Sequence, residues 1–279
     1  MTVCIAVTAS IVALAAAARS TWSPCGLSML STITPLGERA RGHAYRWSAG
    51  WFVLGATVGG ATLGAAMALL AAGAQRLHLP PAVLGATALG AALVAAVSDS
   101  GVVGRRLPIH HRQVNERWLD QYRSWVYAGG FGWQIGTGLS TYITTAAVYL
   151  MVVLAALTTS PALALVIGTG FGLLRGLAVL LTRHLSSPED LLAFHRRFAA
   201  AGPRVGRAVV AIEVVVSVAL AASLGSPVAA GMVAGATVLT VLGLVSRIGR
   251  ADAGVGAPTS PERESVPPAA PSPAAAGHP

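Results

Sequence analysis

Ser23-Pro24-Cys25-Gly26-Leu27-Ser28-Met29-Leu30-Ser31-Thr32-Ile33-Thr34-Pro35 is small, polar and bracketed by prolines, yet it follows an apolar run and precedes a basic loop. That is where the end of a membrane span belongs. From Val3 to Thr34 the segment is too long for one straight crossing of ~20 residues. Proline removes a helical hydrogen bond and clashes with the preceding turn, so the first helix is expected to break or bend near Pro24. A cleaved leader over residues 1–18 is the competing reading. Against it, no basic residue precedes the apolar run, and a second polar-to-apolar cycle follows at once.

A related string returns past the midpoint: Gly136-Thr137-Gly138-Leu139-Ser140-Thr141-Tyr142-Ile143-Thr144-Thr145. Cys25-Gly26-Leu27-Ser28 aligns with Thr137-Gly138-Leu139-Ser140 without gaps. The second string lies in an apolar stretch from about Val126 to Leu157, again too long for one crossing, and glycines weaken its first half. The second string starts three spans after the first. An odd number inverts the second unit, and inverted repeats with broken opening helices mark a transporter's central site.

Composition agrees with a bilayer. Hydrophobic residues make up 54% of the chain and charged residues 10%, against roughly 25% charged in a soluble domain. Every basic residue is arginine, and the formal charge is +9. The arginines fall in short loops between apolar runs, so they speak for orientation in a membrane and against nucleic acid as a partner.

The resulting fold class is an all-α polytopic membrane protein of about seven transmembrane helices. It comprises two inverted three-helix repeats plus one extra C-terminal helix. The transmembrane domain covers 1–249, with repeat one at about 1–104, repeat two at about 126–224 and the extra span at about 228–245. Residues 250–279 read as a disordered Pro/Ala-rich tail. The second span, about Trp47 to Gly73, carries small residues at helical spacing, which suits close packing in lipid. Residues Gly104 to Ser124 and Thr182 to Arg207 read as arginine-rich loops, with a short interfacial helix over Val114 to Trp125. Arginine alternation puts the amino terminus outside and the tail in the cytoplasm of a plasma-membrane protein.

Polar groups in a bilayer face protein or a water-filled cavity. Pro24, Cys25, Ser28, Ser31 and Thr32 from one half, with Gln134, Thr137, Ser140, Thr141 and Thr144 from the other, are the candidate lining of a solute cavity. The same hydroxyls also serve as helix–helix glue, and the sequence leaves both roles open. Asp99, Arg175 and Glu213 fall inside expected spans. Arg175 and Glu213 sit at similar depth on consecutive helices, so an ion pair is expected, either structural or as a gate or proton-coupling element, with snorkelling of Arg175 to the interface as the other reading. The tandem His110-His111 does not make a metal site, because adjacent residues point apart on a helix. Neither a metal nor a cofactor is expected.

Ser23-Pro24-Cys25 near the end of an outside-starting helix, the basic loop after it, and a glycine-rich second span opening Gly50-Trp51-Phe52 resemble the cytochrome c biogenesis thiol–disulfide transporters of the CcdA/DsbD type, within the LysE-like superfamily. The resemblance implies a relay in which one cysteine of the first helix and one of the fourth exchange a disulfide. It also implies a thioredoxin-like partner. Cys25 matches the first cysteine, but Thr137 stands at the second position, and a hydroxyl cannot form the disulfide that carries two electrons. Three functions remain in view: a solute transporter with a polar midplane site, a single-thiol redox protein using Cys25, and a non-transporting scaffold or assembly subunit.

Overall fold

The computed structural model describes residues 1–102, 122–138 and 143–255, apart from the side chains of 244 and 246–255. The expected interfacial helix before Tyr122, the His110-His111 pair, Ser140, Thr141 and the tail from 256 onward lie outside the described residues.

The described residues form helices and no strand: α1 (Thr2–Ser20), α2 (Pro24–Thr32), α3 (Pro35–Ala40), α4 (Tyr45–Arg76), α5 (Pro81–Ser100), α6 (Ser124–Thr137), α7 (Ala147–Leu157), α8 (Pro161–Leu177), α9 (Pro188–Leu224) and α10 (Pro227–Val255). A short 3-10 turn, Ala178–Thr182, extends α8. Among the described residues, five helices are long and apolar enough to cross a membrane: α1, α4, α5, α8 with its extension, and α9. α7 and Pro227–Gly243 of α10 are apolar but shorter. The chain is a multi-pass helical membrane protein. Its main body covers Met1–Leu244, and the described residues from Val245 to Val255 belong to a second unit.

Proline and hydroxyl residues punctuate the helices. Ser23, Thr34, Ser160 and Ser187 each cap a helix whose first residue is proline, accepting a backbone N–H with the side chain. Proline suits that position, since its missing N–H is an unpaired one anyway. The opening stretch therefore stops one helix and restarts another. α1 ends at Ser20, Ser23 is extended, and α2 begins at Pro24.

α4 is packed on both sides by glycine. A Cβ on Gly55 would lie 2.1 Å from the Gly129 carbonyl oxygen of α6, and one on Gly60 would lie 2.5 Å from that of Gly168 on α8. Only glycine permits backbones this close, and the gain in lipid is dispersion rather than hydrophobic burial. α5 packs on α9, and α1 packs on α7, α8 and α9.

Two boundaries differ from expectation. Thr182 to Arg207 is not a loop, because α9 begins at Pro188 and continues through Pro203. Its first half is amphipathic: Glu189 and Asp190 complement the helix N-terminus, and Phe194 and Phe198 follow at helical spacing. Arginine density masked that stripe. Likewise α10 continues to Val255, past the expected start of the tail at 250.

Candidate functional site: a charge-capped break in the fourth span

The stretch read from sequence as the fourth span holds two helices: α6 ends at Thr137 and α7 begins at Ala147. α6 ends on Gly138, whose φ of +67° is a left-handed value that favours glycine. A Cβ there would also lie 2.7 Å from the Phe171 ring. A break leaves unpaired carbonyls at one helix end and unpaired amides at the other, with partial negative and positive charge respectively.

Each end meets a side chain of the opposite sign. At the α6 end, Arg175 Nη1 donates to the Ile135 carbonyl, and the guanidinium lies over the Phe171 ring, 5.6 Å from its centroid. Arg175 is 2% exposed. At the α7 end, Asp99 Oδ1 accepts the Ala146 amide at 2.7 Å, and the Thr145 hydroxyl donates to Asp99 Oδ2. The intramembrane charges Asp99 and Arg175 thus terminate the two half-helices.

The break in the first span faces the same place. Cys25 is the second residue of α2, is 2% exposed, and lies within electrostatic range of Arg175. Neither Cys25 nor Cys4 is in a disulfide. Cys4 sits elsewhere, with Sγ 3.9 Å from the Ala219 carbonyl. The two breaks are not at aligned residues: the first precedes Cys25, and the second follows Thr137.

The other expected lining residues divide. Thr32 and Thr137 donate to carbonyls one turn back, those of Ser28 and Gln134. Ser31 is exposed, donates to Leu27 and lies 3.1 Å from His195 Nε2. Pro24 is exposed. Ser28, Gln134 and Thr137 are half-buried. Buried side-chain atoms without a hydrogen-bond partner include Thr144 Oγ1, Arg175 Nη2 and both carboxylate oxygens of Glu213. An apolar groove of about 530 Å³ between α1 and α9, lined by residues such as Val7, Ile11 and Val215, contains none of the expected lining residues.

The expected Arg175–Glu213 ion pair does not form. Arg175 turns to the α6 carbonyls, while the Glu213 oxygens have no hydrogen-bond partner. The reason is topological. α8 packs mainly against α4, and α9 against α5, so helices consecutive in the chain face different neighbours.

A second polar cluster was not anticipated. Glu38 of α3 is fully buried. Tyr127 Oη on α6 lies 2.8 Å from both of its oxygens, Arg41 donates to Oε1 at 2.8 Å, and Ser48 on α4 donates to Oε2. Arg41 also donates to the Thr32 carbonyl at 2.6 Å, joining α2 to the cluster. The one available signal was a lone acid in an arginine-rich loop, Gly37-Glu38-Arg39-Ala40-Arg41.

Comparison with known proteins gives a partial likeness. The chain is 31% identical over 143 residues to methylamine utilization protein MauF of Methylobacillus flagellatus, covering 50% of each chain. It is 32% identical over 138 residues to MauF of Methylophilus methylotrophus, covering 47% of each. The chain therefore spans about half the length of the curated relatives it matches. No protein-family model and no solved structure matches it.

Proposed function

We propose that this chain is a transporter-like protein that handles a small solute at a polar site between its broken first and fourth spans. The observation that carries this reading is the charge-capped break. Broken intramembrane helices are tolerated where the backbone is buried in protein or lines a cavity, and in transporters they mark the central site. Here the break gathers Cys25, Arg175 and Gly138, and Arg175 retains a buried N–H without a partner.

Helix pairing supports two inverted repeats, and the arginine alternation supports an amino terminus outside. If α1–α5 and α6–α9 are the two units, the counterparts are the broken spans α1–α2 and α6–α7, then α4 with α8, and α5 with α9. α1 packs on α7, α4 on α8 and α5 on α9, an arrangement compatible with a pseudo-two-fold axis between the units.

The CcdA/DsbD resemblance supports the same layout and a second reading, in which Cys25 forms a mixed disulfide with a thioredoxin-like partner. The nearness of Cys25 to Arg175 favours that alternative. The likeness to proteins named for methylamine utilization supports that metabolic setting.

Substituted-cysteine labelling tests the site. In a Cys4→Ala background reconstituted in liposomes, a small water-soluble maleimide should label Cys25 and an introduced Thr137→Cys, while Val58→Cys on the exposed face of α4 stays unlabelled. If Cys25 and Thr137→Cys are both inert in folded protein, the break is dry and the scaffold reading replaces the transporter. Retained function in Cys25→Ser would remove the redox alternative.

A further inference from the structure

Glu213 is fully buried within the protein, and neither carboxylate oxygen has a hydrogen-bond partner. Few side chains are costlier to leave so placed. An ionised carboxylate without donors or a counter-charge pays its full desolvation cost, and in a membrane such groups mark ion or proton paths.

Among the described residues, no basic side chain forms an ion pair with its carboxylate. From α5, the Asp99 carboxylate lies within electrostatic range. From α1, Cys4 reaches α9 at Ala219 and Arg19 reaches it at Gly206. Each of these is roughly two turns from Glu213 along the helix. The charge facing Glu213 is therefore another acid. Asp99 is already committed to the Thr145 hydroxyl and the Ala146 amide at the start of α7. Two acids in one buried place do not both ionise readily, and they bind protons as a coupled pair.

We propose that Glu213 and Asp99 form a proton-binding site, in which Glu213 carries an exchangeable proton and Asp99 remains the anion that caps α7. Proton loss from Glu213 places a second negative charge beside the Asp99 cap and so bears directly on the broken span. The site rests on the transporter-like reading, to which it adds proton coupling. Its test reads Glu213 itself rather than the accessibility of the break, so the two readings fail separately.

The experiment is infrared difference spectroscopy of the full chain in lipid nanodiscs, titrated with pH in potassium buffer. Wild-type protein should show a protonated-carboxyl C=O band that shifts in D2O and bleaches as pH rises. Glu213→Gln, which mimics the protonated form and should fold, should lose that band. Glu213→Asp should retain one at a shifted frequency. A band unchanged by Glu213→Gln in protein of wild-type melting temperature overturns the proposal. Bleaching by sodium at constant pH also overturns it, in favour of a metal-cation site.

Discussion

Asp99 on α5 accepts the backbone amide of Ala146 at 2.7 Å, a bond across 47 positions of sequence that fixes where α7 begins. The acceptor carries charge, the donor is an unpaired amide at a helix N-terminus, and the Thr145 hydroxyl occupies the other oxygen. Replacing a capping acceptor by alanine costs about 0.5–2 kcal/mol, and charge at the helix end adds up to about 2 kcal/mol when partly buried. Stability should therefore fall in the order wild type, Asp99→Asn, Asp99→Ala, as read by thermal unfolding in detergent. Equal melting temperatures for wild type and Asp99→Asn would show that charge contributes nothing to the cap.

Arg175 performs the converse task at the end of α6. Arg175→Lys keeps the charge but loses the planar fork that donates to Ile135 while lying over Phe171. Arg175→Met keeps the volume and removes every donor. A charged hydrogen bond is worth about 1.5–3 kcal/mol, but removing a buried cation also relieves desolvation. The expected result is a stability change within about 1.5 kcal/mol for Arg175→Met, with the solute handling proposed for the site lost. Labelling of Thr137→Cys in the Arg175→Met background reads the break locally, and an unchanged labelling rate would disconnect Arg175 from it.

Much of this architecture is legible in the sequence because its devices are local. Ser23-Pro24 and Ser160-Pro161 announce helix starts, and Gly225 followed by Pro227 announces a stop and a restart. Glycines four apart in the second span announce close packing, which Gly60 and Gly64 deliver against α8. What the sequence withholds depends on neighbours in space. Equal depth on consecutive helices made Arg175 and Glu213 look like partners, but α8 and α9 turn to different helices. Glu38 drew no notice because Tyr127, one of its donors, lies 89 positions away. The hydroxyl-rich strings gave the location of the breaks but not their caps, since Arg175 and Asp99 come from other spans.

The glycine stripe makes a prediction with its own control. Gly60→Ala puts a Cβ 2.5 Å from a backbone carbonyl and 2.7 Å from Gly172 Cα, so α4 and α8 must separate. Overpacking of this kind costs about 1–3 kcal/mol. Gly73→Ala, in the same helix with nothing within 4 Å of the added methyl, should be neutral or stabilise by up to about 1 kcal/mol. Equal melting temperatures for the two variants would mean that the α4–α8 approach is looser than described.

Glu38 and Tyr127 should be strongly coupled. Tyr127→Phe removes one donor from a buried carboxylate and should destabilise by about 1–3 kcal/mol. Glu38→Gln weakens the contacts from Tyr127, Ser48 and Arg41 together. The double variant should cost less than the sum, with an interaction energy of about 0.5–3 kcal/mol. Strict additivity in the unfolding cycle would show that the three helices are not held through this carboxylate.

Trp22 sits in the turn between α1 and α2 and clasps the first half of α9. Its ring stacks on Phe198 with centroids 4.3 Å apart, and its indole N–H donates to the Phe198 carbonyl at 2.7 Å. Four residues along α9, a Cβ on Gly202 would lie 3.1 Å from the same ring. Pro203 follows and removes one helical hydrogen bond, so the amphipathic half of α9 can move on the apolar half. Trp22→Ala should therefore release residues 188–202 while leaving 208–224 in place. Hydrogen exchange resolves the two: protection should fall over the first segment and persist in the second. Trp22→Phe, which keeps a stacking ring and loses one hydrogen bond, should cost only about 0.5–1.5 kcal/mol and keep most of the protection. Equal loss in both segments with Trp22→Ala would mean that α9 behaves as one rigid rod and that Pro203 is no hinge.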